Sequence, residues 1–129
     1  MESSRILLVE DDPFLRRACE AGLRKRGYQV IIAVDGEEAL RRVRNDAPAL
    51  VLLDLLMPKL FGMEVLAELK KDEKTRHIPV IILTNSSTEM QRKKADALGA
   101  AGYLVKANLT LKELADQVAD FLEAHKHHS

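Results

Sequence analysis

Three acidic side chains stand in a row at Glu10-Asp11-Asp12, and a further aspartate, Asp54, closes an apolar run. Thr84 and Lys106 follow two later runs of the same kind. Singly, each has an ordinary use: Asp12 as a helix N-cap, Asp54 as a turn former, Thr84 as a strand residue and Lys106 as a solvated charge. Together they suit one chemistry. Carboxylates brought close repel and raise one another's pKa unless a cation compensates them. Mg2+ does so with oxygen ligands and keeps several waters, so one or two carboxylates and a main-chain carbonyl leave room for a phosphoryl oxygen. A carboxylate can then act as a nucleophile towards phosphorus while the metal, a lysine and a hydroxyl neutralise the equatorial oxygens. Asp54 is the candidate nucleophile, Asp11 and Asp12 the metal side, Lys106 a point charge and Thr84 a hydroxyl donor.

These residues meet only if the runs they close end on one rim. Apolar runs rich in β-branched residues recur at Ile6 to Val9, Val30 to Val34, Leu50 to Leu53, Val80 to Leu83 and Tyr103 to Val105, each reading as a buried strand. Helical stretches separate them. Asp12-Pro13 opens the first and Gly27 follows its basic end; Asp35 with Glu38, Ser86 with Glu89, and Thr110 with Glu113 have capping-box spacing and open the second, fourth and fifth. The third is predicted from about Gly62 to Lys71, and Gly99 suits the end of the fourth. Leu111, Leu114, Ala115, Val118 and Leu122 stripe the last helix, whereas the fourth offers only Met90, Ala97 and Leu98. Strict alternation implies a doubly wound α/β fold: a five-stranded parallel sheet with five helices on its two faces. Ligands of such sheets sit beyond the carboxyl ends of the strands, where the acidic residues, Thr84 and Lys106 fall.

Twenty basic and twenty acidic residues cancel among 129, so nothing at the whole-chain level steers the protein to nucleic acid or anionic lipid. The single cysteine, Cys19, excludes an intrachain disulfide, and no window has signal-peptide or membrane-spanning character. A cytoplasmic domain over residues 3–124 is expected, with residues 125–129, His-Lys-His-His-Ser, a disordered tail or an expression remnant.

Glu10-Asp11-Asp12, the stretch Asp54-Leu-Leu-Met57-Pro58-Lys-Leu-Phe-Gly62, Thr84, and Tyr103-Leu-Val-Lys106 together resemble the signature of two-component response-regulator receiver domains, over nearly the whole chain. The resemblance implies strand order 2-1-3-4-5, the flavodoxin-like arrangement. It implies that Asp54 accepts a phosphoryl group from a phosphohistidine on a sensor histidine kinase or histidine phosphotransfer protein. Mg2+ would be held by Asp12, Asp54 and the Leu56 carbonyl, with Asp11 assisting through water. Lys106 would pair with the phosphoryl group, Thr84 would move to hydrogen-bond it, and Tyr103 would swing inward. The face made by the fourth helix, fifth strand and fifth helix would then be remodelled for a downstream effector. Such a receiver catalyses its own phosphorylation and dephosphorylation but turns over no separate substrate. A monomer or a weak dimer through that face is expected, with output through a bound partner or a part beyond this chain, and no direct contact with nucleic acid or membrane.

Three positions depart from the family pattern. Ala107 stands where proline usually follows the lysine, and a cis bond there costs about 2 to 3 kcal/mol more than before proline, so this loop is expected to be trans or strained. Asn85 replaces a small residue and could crowd the acceptor. Leu56 cannot orient water with its side chain, which predicts slow dephosphorylation. Rival readings are weaker. A non-phosphorylated adaptor has no need of Asp54, Thr84 and Lys106, an aspartyl phosphatase or mutase needs an acid where Leu56 stands, and a flavin or nucleotide site needs an anion cradle where the chain has carboxylates.

Overall fold

Apolar alternation decides the architecture of the protein, seen in a computed structural model that describes residues 4–55, 62–85 and 88–126. In chain order the elements are β1 (Arg5–Val9), α1 (Pro13–Lys25), β2 (Gln29–Ala33), α2 (Gly36–Asp46), β3 (Leu50–Asp54), α3 (Gly62–Lys71), β4 (Val80–Thr84), α4 (Glu89–Ala97), β5 (Gly102–Val105), a 3-10 turn at Lys106–Asn108, and α5 (Leu111–Lys126). The five strands form one sheet in the order β2-β1-β3-β4-β5, every pairing parallel. This is the expected doubly wound, flavodoxin-like fold.

Successive strand residues point to opposite faces. Leu7 and Val9, Val51 and Leu53, and Val80 and Ile82 pack with Ala39, Val43, Val65, Leu66 and Ala95, from α2, α3 and α4. Ile6 and Leu8, Leu50 and Leu52, and Ile81 and Leu83 pack with Cys19, Leu23, Leu114, Val118 and Leu122, from α1 and α5. Every residue of β3 and β4 is buried, because those strands have neighbours on both edges and helices on both faces.

Helix ends follow local chemistry. Asp12 accepts from the amides of Phe14 and Leu15 at 2.9 and 3.4 Å, with Pro13 as first helical residue. Thr110 and Glu113 form a reciprocal capping box at 3.0 and 3.1 Å. The cap of α4 is Thr88, whose hydroxyl accepts from the Gln91 amide at 3.1 Å, and not Ser86, which lies outside the described residues. Thr88-x-x-Gln91 meets the same spacing rule, and the helix begins two residues later than expected. Its buried residue is Ala95, while Met90 is 80% exposed and Ala97 is exposed. Leu111, expected in the α5 stripe, is largely exposed at the helix's first turn. Helix α5 continues to Lys126, past the expected boundary at 124. Among the described residues no helix is long and apolar enough to cross a membrane.

Candidate functional site

Strand register builds the site. Val9 pairs with Leu53 as the last step of β1 against β3, so the next residues, Glu10 and Asp54, end the two central strands side by side. The Glu10 amide still donates to the Ala33 carbonyl at 3.1 Å, keeping it in line with the sheet. Alternation then turns Glu10, after Ile6 and Leu8, and Asp54, after Leu50 and Leu52, to the face covered by α1 and α5. Lys106 lies two residues beyond Leu104, which packs on that same face. Thr84 follows Ile82, and Tyr103 pairs with Ile82, so these two share the opposite face, towards α3 and α4.

The Lys106 ammonium donates to Glu10 Oε1 at 2.6 Å and to Asp54 Oδ2 at 3.3 Å. All three side chains are nearly closed to solvent, at 10% exposure for Lys106, 1% for Glu10 and 9% for Asp54. Carboxylate oxygens of Glu10, Asp11 and Asp54 lie within 4.8 Å of one another. Burial pushes the Glu10 carboxyl up; the Lys106 hydrogen bond pulls it down, the nearness of Asp54 raises it again, and the result is about 7. Burial also works against the Lys106 ammonium, but its bond to Glu10 and the charges of Asp54 and Glu10 prevail and hold its pKa above the ordinary value. One ammonium therefore serves two buried carboxylates while a third, that of the exposed Asp11, stands beside them.

The expected residues have unequal places. Asp11, Asp54 and Lys106 converge as the chemistry requires. Asp12, expected to ligate metal, spends its carboxylate on the amides of α1 and is not part of the cluster; Glu10 stands in its place. The signal for Glu10 was present in the sequence, since an Asp-Pro helix start already occupies Asp12 and leaves the two preceding acids for the rim. The Leu56 carbonyl lies outside the described residues. Thr84 is buried at the next strand end. The hydroxyl of Tyr103 is covered and has no hydrogen-bond partner among the described residues, and the Arg92 guanidinium carbon sits 5.2 Å from the centre of its ring. Asn85 is exposed. No described peptide bond is cis, so Lys106-Ala107 is trans within the 3-10 turn, and the lysine still reaches both carboxylates.

A donor set of three carboxylates fits a hard divalent cation, with Mg2+ the natural occupant. The family model of the response regulator receiver domain matches residues 6–119. A probable transcriptional regulator, ycf27, of Porphyridium aerugineum is 41% identical over 122 residues, an alignment covering 95% of this chain and 49% of that protein. This chain spans about half the length of the ycf27 regulators it matches. Among solved structures, a CheY-like response regulator receiver domain protein from Methanospirillum hungatei superposes with a TM-score of 0.92 at 24% identity, covering 99% of this chain and 100% of that one. The receiver domain of a Pseudomonas aeruginosa sensor histidine kinase, solved with magnesium coordinated in its active-site cleft, gives 0.85 at 30% identity over 95% of this chain and 99% of that one. The chain belongs to the response regulator receiver family, the phosphoacceptor modules of two-component signal transduction. Domains of this family bind Mg2+ at an acidic site and work with histidine kinases and effectors.

Proposed function

We propose that Asp54 is the phosphoacceptor. The observation that carries this is the placement of Asp54 on the central strand end, with its carboxylate 3.3 Å from the Lys106 ammonium and within 4.8 Å of Glu10 and Asp11. A phosphohistidine on a sensor kinase or phosphotransfer protein is the donor. An Asp54 oxygen bonds to phosphorus as the P–N bond breaks, and the electron pair leaves with the donor imidazole. Glu10, Asp11 and Asp54 would hold Mg2+, with the Leu56 carbonyl as a further donor, and the ion supplies charge neutralisation for the phosphoryl oxygens. Lys106, already poised between two carboxylates, would transfer hydrogen bonding to the incoming phosphoryl group.

Thr84 would meet the phosphoryl group from the neighbouring strand end, and Tyr103 would report it. What supports the pairing is their common face of the sheet together with the Tyr103 hydroxyl, which has no hydrogen-bond partner among the described residues, since a buried polar group without a partner costs about 1 to 3 kcal/mol. An arrangement that pairs it is accessible at modest cost, so the phosphoryl group has a second state to select. The α4/β5/α5 face would then engage a downstream effector, or a second copy weakly, in the cytoplasm. The protein would catalyse its own phosphorylation and dephosphorylation. Intact-mass analysis after incubation with Mg2+ and a small acyl phosphate tests the reading: the native chain gains one phosphoryl group and Asp54→Asn gains none, and equal uptake by both refutes it. Leu56→Asn is expected to shorten the lifetime of the phosphoryl group, read as mass loss after donor removal; an unchanged or longer lifetime counts against the reading that dephosphorylation is slow because Leu56 cannot orient water.

A further inference from the structure

We infer that Gly62 is a positioning residue for Asp54: the absence of a side chain at the start of α3 sets where the acceptor carboxylate stands. The inference rests on Asp54 being the acceptor and adds what holds it in place. The Gly62 amide donates to the Leu55 carbonyl at 3.0 Å, so the chain leaving β3 is clasped at once by the first residue of α3. A Cβ built on Gly62 would overlap the Asp54 carbonyl oxygen and lie 2.7 Å from the Leu55 Cα and 3.1 Å from the Asp54 carbonyl carbon. All three are main-chain atoms, so no side-chain rotation relieves the overlap.

Something has to move, and the surroundings select what. Helix α3 is anchored by Val65, Leu66 and Leu69, all essentially without exposure, and withdrawing it would open the core. Strand β3 is held on both edges by β1 and β4. The remaining soft point is Leu55, just past the strand, and the Asp54 carbonyl that leads into it, since the register with β1 stops at Leu53 and only that with β4, at Leu83, reaches Asp54. A shift there carries the carboxylate away from Lys106 and from Glu10 and Asp11. The glycine in the Asp54-to-Gly62 stretch thus acts on the chemistry through the acceptor's own backbone, and its need for glycine is steric: its φ is not in the left-handed region.

Gly22 is the internal control, since a Cβ there meets nothing within 4 Å and the residue sits within α1. The experiment compares the native chain, Gly62→Ala, Gly22→Ala and Asp54→Asn for thermal unfolding, Mg2+ affinity by calorimetry, and the phosphorylation rate at saturating Mg2+ and acyl phosphate. Gly62→Ala that remains folded is expected to phosphorylate about tenfold to a hundredfold more slowly at saturation and to bind Mg2+ about tenfold more weakly. Gly22→Ala should match the native chain in both. A purely structural glycine would lower the melting temperature and leave both constants of the folded protein unchanged, and that result overturns the inference. Phosphoryl uptake by Asp54→Asn would instead refute the acceptor reading. Should Gly62→Ala fail to fold, amide exchange in the native chain decides. The Gly62 amide must be protected, and more so once Mg2+ and beryllofluoride load the site; exchange at the unstructured rate overturns the clasp.

Discussion

The two rims of the sheet are built on opposite rules. At the amino-terminal rim polar groups close on one another: the Ala49 amide bonds the Arg5 carbonyl at 2.8 Å, Val51 bonds Pro79 at 3.0 Å, and Ala101 bonds Val80 at 2.8 Å. Beneath them the Lys70 ammonium donates to the carbonyls of Arg76 and Ile78 at 3.0 and 2.8 Å, and the buried Thr75 hydroxyl donates to the Leu69 carbonyl at 2.7 Å. At the carboxyl rim Glu10, Asp11 and Asp54 crowd together with Lys106 between two of them, and charge there is incompletely balanced. Packing alone would favour apolar or paired groups at such positions. One end closes its polar groups on one another, while the other gathers carboxylates whose mutual repulsion a cation would relieve.

The comparison breaks first at Asp11. Asp11→Ala is expected to weaken Mg2+ binding by tenfold or more, on the order of the loss seen when ligand shells are disturbed, whereas Asp12→Ala should leave it nearly unchanged. Calorimetry in which Asp12→Ala shows the larger loss would restore Asp12 as the ligand. That repulsion is tested by pH in the presence of a chelator. Glu10 has its folded pKa raised from 4.5 to about 7, so its contribution to stability is fully present below about pH 4.5 and is lost as pH rises through about 7. Removal of that titration by Glu10→Gln should flatten the decline in unfolding free energy over this window, by an amount on the order of 3 kcal/mol, read by urea titration at each pH. Parallel curves for the two proteins would show that Glu10 titrates normally.

The amino-terminal rim should respond in the reverse sense. Thr75→Val leaves the Leu69 carbonyl without its partner and is expected to cost about 1 to 2 kcal/mol of unfolding free energy, measured by urea titration, with phosphoryl uptake unchanged. A slower uptake would mean that the two ends are not independent. The smallest effect belongs to the cap. Asp12→Ala should lose about 1 kcal/mol, because two α1 amides lose their acceptor.

Much of this was legible in the sequence because each signal was local. Strand runs, the alternation that makes the sheet parallel, and the caps at Asp12, Asp35 and Thr110 rest on neighbouring residues, and all five strands lie where their apolar runs predict. What was not legible required choosing between equivalent neighbours. Three successive acids could each have closed β1, and only the pairing of Val9 with Leu53 decides that Glu10 stands beside Asp54. Ser86, Ser87 and Thr88 are all capable of capping α4. The exposure of Met90 and the burial of Ala95 depend on how α4 settles against β5, which its sparse apolar pattern does not specify. Ala107 was read as a departure that could re-aim Lys106, yet the trans turn still delivers Lys106 to the cluster, a three-dimensional outcome with no one-residue sign.

Alternation along the strands also sorts the candidate site residues between the two faces of the sheet. Glu10, Asp54 and Lys106 belong to the side of α1 and α5, while Thr84 and Tyr103 belong to the side of α3 and α4. Between them, among the described residues, lie the packed Leu, Val and Ile side chains of the central strands. The two groups come nearest one another at the carboxyl rim, where β3, β4 and β5 end at Asp54, Thr84 and Val105. A phosphoryl group on Asp54 would therefore have to be felt by Thr84 and Tyr103 across that rim rather than through the packed interior.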